Sequence, residues 1–411
     1  MKYYSRFLES RFLRLKEYFP VVAITGARQV GKTTLIEHCL GNDIRTITFD
    51  PVIDIANARA EPEYFLQNNP PPVFLDEIQY APELLGPIKR YVDKHQKKGG
   101  YILSGSQNLS VLKNIAESLA GRAAVLNLMG MSYREITEKL SGPPFLKTWL
   151  QNSADISFSV HRTVLPDVFV RRAFYGSYPG TIHIPNDLLT DYWSSYMQTY
   201  IERDVRRAAD IRQLQTFGKF FKLLAALSGC EINYNQLGRE LSIDRNTVVA
   251  WTNISKATYQ WYTIPAFSRN PIKKIAGKDK GYFGDTGFLC YLLSINSPEA
   301  ILTHSNHGAV FETYVMLEIM KNLQESGLRE QLYHFRTYSG AEVDCIIEYD
   351  GRLYLIEIKA TSQPKNKHTT GFQSFRTCFP SESIAGELII CAVDEPLQIS
   401  ETCLAIPWWF L

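Results

Sequence analysis

A ten-residue stretch near the amino end of the chain has two glycines, a lysine and threonines at the spacing of a phosphate-binding loop. It follows an apolar, β-branched run at residues 21–25 and precedes a helical pattern from Thr34 to Leu40. Glycines let the backbone turn tightly with its N–H groups inward, and a helix amino terminus adds positive potential. The predicted loop consists of Thr25, Gly26, Ala27, Arg28, Gln29, Val30, Gly31, Lys32, Thr33 and Thr34.

Two side chains of this loop have the chemistry to act on a bound nucleotide. We expect the Lys32 ammonium to reach the β- and γ-phosphates and the Thr33 hydroxyl to ligate Mg²⁺. ATP and Mg²⁺ are therefore the cofactors that this stretch predicts. The alternative is a chance glycine-rich turn, but the order of strand, loop and helix favours the phosphate site.

Two carboxylates stand side by side where a second apolar strand pattern ends. Asp76 and Glu77 follow the run Val73–Leu75. In P-loop enzymes the first acidic residue holds Mg²⁺ through water, so Asp76 is the expected metal residue. An adjacent carboxylate suits a general base for the attacking water, so Glu77 is the expected catalytic residue. Solvated acids at a strand end are the alternative.

A third strand pattern, Tyr101–Leu103, also ends in small polar residues. The carboxyl ends of parallel strands open onto one sheet edge, where ligands bind. We therefore expect Ser106 or Asn108 to sense the γ-phosphate or position water, with Ser104 as the weaker candidate. An ordinary turn is the alternative.

The elements that must position these residues alternate between strands and helices. Strand patterns at residues 21–25, 46–49, 73–75 and 101–103 are separated by helical or turn-rich segments, which predicts a parallel α/β sheet. An amphipathic helix, Tyr4 to Tyr18, leads into the first strand. We expect its basic residues to form a solvated face.

The composition is that of an ordinary globular protein, with 411 residues of which 45% are hydrophobic and 21% charged. A net charge of +2 gives no general argument for nucleic-acid binding, so such contacts must come from local patches. No apolar run approaches the roughly 20 residues of a membrane helix, and residues 1–19 lack the pattern of a signal peptide. Seven scattered cysteines are typical of reduced thiols. We expect a cytoplasmic protein that does not enter a membrane.

Four stretches of the chain together resemble AAA-type ATPases of bacteria and archaea. They are residues 26–35, 73–79, 102–108 and 118–122. In that family an ATPase domain precedes a C-terminal region of unknown function. The resemblance implies a nucleotide near a subunit or domain boundary, with an arginine supplied to the γ-phosphate. Arg122 matches the family's recurrent arginine and Arg203 is the second candidate, while a structural salt bridge is the alternative for each.

Residues 216–262 have the pattern of a helix-turn-helix, and the resemblance implies a winged-helix module there. Asp244 is the expected N-cap of its third helix, residues 245–254. In DNA-binding versions this helix enters the major groove, so its first residues would face bases or phosphates. Those residues are Arg245, Asn246 and Thr247. A lid or a protein-docking unit is the alternative. A basic cluster that would track a phosphate backbone or form a solvated loop follows: Arg269, Lys273, Lys274, Lys278 and Lys280.

Two alternating strand patterns flank Asp350-Gly351, which is a strong hairpin signal. A two-residue loop places Asp344 opposite Glu357 and Glu342 opposite Lys359, with all four side chains on one face. The Cβ atoms of opposed residues lie about 4.5–5.5 Å apart, so two carboxylates there repel each other. A divalent cation bridging Asp344 and Glu357 would neutralise them.

The order Asp, then Glu-x-Lys, on this hairpin resembles the PD-(D/E)xK nuclease superfamily. The resemblance implies Glu312, in the helical pattern of residues 310–322, as a further metal carboxylate beside Asp344 and Glu357. It also implies Mg²⁺-assisted phosphodiester hydrolysis in which Lys359 steadies the attacking water or the developing charge. A solvated face of alternating charges and a nuclease fold retained for binding alone are the alternatives.

These patterns predict an α/β chain of four segments. An AAA-type P-loop domain with a parallel sheet spans residues 1–140, a linker or helical lid 141–215, a winged-helix-like module 216–295, and a restriction-endonuclease-like domain 296–411. The favoured function is ATP hydrolysis coupled to action on DNA. The alternative is a nucleotide-dependent switch or scaffold whose C-terminal domain binds protein or DNA without cleavage. Assembly into a homo-oligomer stays open.

Overall fold

A computed structural model of the protein describes most of the chain and divides it into two compact units. The described residues are 2–41, 44–49, 55–106, 118–152, 166–205, 213–270, 277–328 and 331–411. Unit 1 comprises Met1–Met131, Tyr178–Gly180 and Ile254–Gln260. Unit 2 comprises Ser132–Ser177, Thr181–Asn253 and Trp261–Leu411. No helix among the described residues is long and apolar enough to cross a membrane.

A five-stranded, wholly parallel sheet forms the centre of unit 1. Its strands are β1 (Val21–Thr25), β2 (Arg45–Thr48), β3 (Val73–Asp76), β4 (Tyr101–Gly105) and β5 (Ala123–Asn127). Their order across the sheet is β2-β3-β4-β1-β5. The predicted parallel α/β sheet is confirmed, and β5 is the strand that the sequence patterns did not predict.

Helices whose bounds lie within the described residues of unit 1 accompany this sheet. They are α1 (Leu8–Tyr18), α2 (Lys32–Leu40), α3 (Ile55–Ala60), α4 (Pro62–Asn68) and α5 (Leu85–His95). Strands β1, β3 and β4 are buried along their whole length, as parallel strands covered on both faces are. The ends of these three strands therefore meet at one sheet edge, where Gly26, Glu77 and Ser106 follow them.

The first part of unit 2 is mostly helical. Its helices are α6 (Tyr133–Ile136), α7 (Phe145–Gln151), α8 (Pro166–Tyr175), α9 (Asn186–Thr199), α10 (Leu214–Ala226), α11 (Tyr234–Leu241), α12 (Arg245–Ala257) and α13 (Thr286–Leu292), the last turn of α12 belonging to unit 1. A small antiparallel sheet with the order β6-β8-β7 lies among them. Its strands are β6 (Cys230–Glu231), β7 (Trp261–Ile264) and β8 (Lys280–Phe283).

The carboxyl-terminal part of unit 2 contains a six-stranded mixed sheet with the order β13-β14-β12-β11-β10-β9. Its strands are β9 (Gln331–Arg336), β10 (Glu342–Tyr349), β11 (Arg352–Lys359), β12 (Ile384–Cys391), β13 (Leu397–Gln398) and β14 (Cys403–Pro407). The accompanying helices are α14 (Ala300–Thr303), α15 (His307–Ser326) and α16 (Thr370–Cys378). The predicted hairpin register is confirmed between Tyr349↔Arg352 and Cys345↔Ile356.

Candidate functional site

The loop between β1 and α2 has the backbone shape that its glycines predict. Gly26 has φ +154° and Gly31 has φ +94°, both in the region that favours glycine. A Cβ atom on Gly26 would overlap the carbonyl oxygen of Leu128, so only glycine fits there. Gln29 adopts a left-handed conformation as well, with φ +61°. The loop is therefore a tight turn that ends at the amino terminus of α2.

The side chains of the loop have separate partners. Lys32 is buried, and its ammonium donates to the carbonyl oxygens of Gly26 at 3.0 Å and Ala27 at 2.9 Å. The guanidinium of Arg28 donates to the Tyr80 hydroxyl at 3.1 Å. Lys32 thus holds its positive charge over the backbone of the loop, the position from which it would meet a phosphate.

The loop and the end of β3 meet through one hydrogen bond. Thr33 Oγ1 donates to Asp76 Oδ2 at 2.9 Å, and the Ser104 hydroxyl donates to the other oxygen of Asp76. Mg²⁺ prefers oxygen ligands and is held in such sites by one or two protein groups together with phosphate oxygens. The Thr33 and Asp76 oxygens fit that requirement. Ser104, predicted as the weaker candidate for sensing the γ-phosphate, instead orients the Asp76 carboxylate.

Glu77 lies beside this pair with a network of its own. Its backbone is left-handed, with φ +58°, and its N–H donates to Ser104 Oγ at 3.1 Å. Gln79 Nε2 donates both to the Glu77 carboxylate and to Ser106 Oγ, the latter at 3.1 Å. Burial alone would raise the pKa of Glu77, but Lys32 and the Gln79 hydrogen bond hold it below the ordinary value. Glu77 is thus kept ionised, as a general base requires.

Arg6 is a contributor that the sequence patterns missed, because the basic residues of this region were expected to be solvated. It precedes α1 and its side chain is 7% exposed. Its guanidinium donates to the carbonyl oxygens of Val30 at 3.0 Å and Met129 at 2.8 Å. Arg6 therefore links the loop, through Val30, to the segment that follows β5, through Met129. Arg6 lies within the predicted amphipathic stretch Tyr4 to Tyr18, and no feature of the sequence pattern distinguished it from the basic residues expected to be solvated.

Arg122, the first arginine candidate, is not brought to the loop. Arg122 precedes β5, and its carbonyl accepts from the N–H of Val21, at the start of β1. The loop follows the other end of β1, roughly 13 Å away at about 3.3 Å per residue. The guanidinium of Arg122 pairs with Asp93. Arg203 lies in a π-helical segment, Tyr200–Val205, but the structure does not describe its side chain. Asn108, a candidate γ-phosphate residue, lies outside the described residues.

The hairpin carboxylates surround a lysine that was expected elsewhere. Lys280, from β8, places its ammonium 2.7 Å from Glu312 Oε1, 2.5 Å from Glu342 Oε1 and 2.8 Å from Asp344 Oδ1. Its side chain is 2% exposed. Lys280 therefore belongs neither to a phosphate-tracking patch nor to a solvated loop. The only signal in the sequence was one lysine at the start of an otherwise uncharged strand.

The remaining pair of the hairpin also forms salt bridges. Lys359 lies 2.6 Å from Glu357 Oε1 and 3.7 Å from Asp344 Oδ2. Burial and then the charge of Asp344 raise the pKa of both Glu312 and Glu357 above the ordinary range. Burial acts in the same direction on Asp344, but Lys280 and Lys359 hold the pKa of that carboxyl low.

These contacts do not fit the predicted Mg²⁺ site. The ammonium of Lys280 already contacts Glu312 and Asp344, two of the three predicted metal residues, and fills the space between them. Among the described residues, no group of three or more His, Cys, Asp or Glu side chains is arranged to hold a metal. The alternative of a solvated face does not hold for Asp344 and Glu357, because both side chains are buried.

The predicted DNA-contacting residues stand at the start of α12. Arg245 and Asn246 are exposed. Asp244 caps the helix as predicted, since its carboxylate accepts from the N–H groups of Asn246 at 2.8 Å and Thr247 at 3.0 Å. In the basic cluster, Arg269 pairs instead with Glu348 and Glu382. Lys273 and Lys274 lie outside the described residues.

Comparison with known families assigns the first part of the chain. Residues 18–137 match a model described as an AAA domain. Residues 167–299 and 307–411 match two models described as domains of unknown function, DUF8612 and DUF4143. Uncharacterized proteins of Mycobacterium bovis (Mb2031c) and Mycobacterium tuberculosis (Rv2008c) are each 26% identical over 400 residues, which are 97% of this chain and 82% of the relative.

Solved structures resemble the chain at lower identity. The Walker-type ATPase PABY2304 of Pyrococcus abyssi has 15% identity and a TM-score of 0.44, covering 71% of this chain and 96% of its own. The RuvB Holliday junction branch migration motor of Thermotoga maritima has 14% identity and a TM-score of 0.31, covering 67% and 92%. The matched range of residues 18–137 includes the loop, the strand ends and the whole parallel sheet. Residues 18–137 are therefore an AAA-type ATPase domain.

Proposed function

We propose that this protein binds ATP with Mg²⁺ and hydrolyses it at the edge of the unit 1 sheet. Lys32 and the loop N–H groups would hold the phosphates, and Thr33 with Asp76 would hold Mg²⁺, which neutralises phosphate charge when bound. Glu77 would accept a proton from the attacking water. Gln79 and Ser106 would keep that carboxylate oriented.

The observation that carries this proposal is the contact of Thr33 Oγ1 with Asp76 Oδ2 at 2.9 Å. It joins two residues that are 43 positions apart in sequence, one on the loop and one on a strand end. A chance glycine-rich turn would have no reason to place its threonine against a buried carboxylate. The same arrangement keeps Glu77 next to Asp76, at the position where a water-activating base is needed.

A cavity beside the loop supports nucleotide binding. It measures about 110 Å³ and is bordered by aromatic and apolar side chains together with the loop itself. The bordering residues are Lys2, Tyr3, Tyr4, Arg6, Gly31, Thr34, Met131 and Pro179. The apolar side chains of this cavity next to a phosphate loop suit the apolar faces of a purine base.

The test separates binding from hydrolysis by means of two substitutions. Lys32→Ala should abolish ATP binding measured by calorimetry, because the phosphate charges lose their partner. Glu77→Gln should retain binding but lower the hydrolysis rate by about 10²–10⁴-fold, the usual contribution of a general base. Lys94→Ala, an exposed lysine of α5, is the control and should change neither quantity. Unchanged ATP affinity in Lys32→Ala would exclude the loop assignment.

DNA is a second candidate ligand, and exposed side chains at the start of α12 support it. Arg245 and Asn246 both face solvent next to the short turn that separates α11 from α12. An arginine and an asparagine are the side chains that read guanine and adenine in the major groove. We infer that this helix binds DNA and that ATP hydrolysis at the loop is coupled to the action of the protein on the bound DNA.

For the C-terminal domain, the contacts favour binding of a partner without cleavage. The nuclease alternative needs carboxylates that are open to a metal. Glu312, Glu342 and Asp344 instead share the Lys280 ammonium. Strand cleavage assayed on plasmid and branched DNA with Mg²⁺ or Mn²⁺ should therefore show no product. Cleavage that is lost in Asp344→Ala would restore the nuclease function.

A further inference from the structure

The carboxylate cluster of the C-terminal hairpin contains a cation that belongs to the chain itself. An ammonium group has three N–H donors and no acceptor. Lys280 directs its ammonium at three carboxylates, Glu312, Glu342 and Asp344, at 2.7, 2.5 and 2.8 Å. The three donors of the ammonium are thereby all used. The Lys280 side chain is 2% exposed, so solvent does not compete for these hydrogen bonds.

The strand that carries Lys280 holds the ammonium in place. Side chains two positions apart on a strand share a face, and Tyr282 accordingly donates its hydroxyl to Glu312 Oε1 at 2.8 Å. Between them, Gly281 lies so close to the indole of Trp261 that a Cβ atom at this position would overlap the ring. Two side chains of β8 therefore bind the same cluster from a fixed backbone.

A divalent cation would need the space that this ammonium fills. Mg²⁺ and Ca²⁺ bind carboxylate oxygens at about 2.0–2.6 Å, nearly the distances at which the Lys280 nitrogen stands from its partners. Two cations within contact distance in a buried site repel each other strongly. Lys280 and a metal ion therefore exclude each other at Glu312, Glu342 and Asp344.

We propose that Lys280 takes the place of a divalent cation in this domain and conceals a latent metal site. The wild-type C-terminal domain then binds neither Mg²⁺ nor Mn²⁺ at these carboxylates. Removal of the ammonium opens the site to a metal. This inference rests on the non-cleaving function proposed for this domain and is independent of nucleotide chemistry at Lys32.

A second observation supports a concealed cation site. Glu357 Oε2 is buried and has no hydrogen-bond partner among the described residues. The other oxygen of this carboxyl group binds Lys359 at 2.6 Å, and Lys359 also approaches Asp344. An unsatisfied carboxylate oxygen beside Asp344 is the kind of ligand that a metal ion would recruit once Lys280 is gone.

The experiment is a Mn²⁺ titration of the full chain without nucleotide, followed by calorimetry and by the electron paramagnetic resonance of free Mn²⁺. Lys280→Met should gain a site that binds Mn²⁺ at least about tenfold more tightly than wild type does, because a competing positive charge is removed. Lys280→Met with Asp344→Asn should lose that site again. Lys321→Met is the matched control, since Lys321 is a buried lysine that contacts Glu318 at 2.9 Å outside the cluster.

Two results would overturn the proposal. One is a Lys280→Met protein that folds and gains no Mn²⁺ site. The other is a wild-type protein that binds Mn²⁺ at a site that the Asp344→Asn variant lacks. This second measurement does not need the Lys280→Met protein, so it stays decisive if that variant does not fold. The Asp344→Asn variant also distinguishes Mn²⁺ bound at the hairpin from Mn²⁺ bound at Thr33 and Asp76, because only the first should be lost in this variant. ATP binding that fails in wild type would contradict the ATPase function alone.

Discussion

Three buried cations show how the partner of a side chain sets its role. Lys32 contacts neutral carbonyl oxygens, so the phosphates of a nucleotide can replace these partners with a gain in charge pairing. Lys280 contacts three carboxylates, and its withdrawal would leave buried charges uncompensated. Arg6 contacts two carbonyl oxygens with a planar, fixed group and acts as a brace. The same charge thus serves binding, neutralisation or support.

Replacement of Arg6 by methionine should loosen the loop. The change leaves the carbonyls of Val30 and Met129 without their donors, which costs about 2–4 kcal/mol for two buried acceptors. We expect that loss in the free energy of unfolding from urea titrations, together with weaker ATP binding. Arg14→Met, an exposed position on α1, is the control. Equal stability of the two variants would contradict the bracing role.

At the level of elements, the ends of strands and helices carry the chemistry. The loop follows β1. Asp76 is the last residue of β3 and Glu77 comes next, while Ser104 and Ser106 lie at the end of β4 and just after it. Three connections therefore converge on one sheet edge. The start of α12 is a different case. Asp244 satisfies the first N–H groups of that helix, so a bound phosphate there would have to be held by side chains.

The DNA candidate is tested at this helix start. Arg245→Ala and Asn246→Ala should each weaken binding of double-stranded DNA by about 1–3 kcal/mol if they contact bases. If Arg245 instead contacts a phosphate, its replacement should lower the salt dependence of binding by about one unit of slope. Arg171→Ala, an exposed arginine of α8, is the control for charge alone. Wild-type protein with no measurable DNA affinity would remove DNA from the function.

At the scale of the whole molecule, the ATPase unit is not one continuous stretch. Unit 1 includes Tyr178–Gly180 and Ile254–Gln260, far along the chain from its sheet. Both additions bring buried side chains, among them Tyr178 and Tyr259. A chain cut after the AAA match would therefore leave unit 1 without part of its packed interior.

A fragment of residues 1–137 should consequently be less stable than unit 1 within the full chain. We expect its melting temperature to fall by at least about 3 °C, the shift produced by the loss of about 1 kcal/mol in a domain of this size. Calorimetric scans of the fragment and the full chain, each with and without ATP, measure this. The full chain is the reference in which the ATP-linked transition identifies unit 1. A fragment that melts at the same temperature as that transition would show that the two later segments contribute nothing.

Much of the local structure follows from local patterns. Gly26, Gly31 and Lys32 predict the loop because a tight turn into a helix depends on neighbouring residues. The Asp350-Gly351 turn predicts the hairpin register because a two-residue connection leaves one way to pair the strands. The apolar runs before Asp76 and Ser106 predict buried parallel strands. β5 was missed because Ala123–Asn127 is a short stretch with two alanines and one valine, which gives a weaker strand pattern than the apolar β-branched runs of the other strands.

The sequence by itself determined the AAA-type loop, the carboxylate pair after the apolar run and the parallel direction of the predicted strands, since each depends on residue type and short spacing. The order of the strands across the sheet came from the structure. Only the tertiary structure decided which charges meet. Lys280 reaches Asp344 across 64 positions and Arg6 reaches Met129 across 123, while Arg122 is carried to the far end of β1. Contacts between distant positions depend on how strands and helices pack, and no local pattern records that packing. The charge balance of the C-terminal hairpin is therefore a property of the folded molecule.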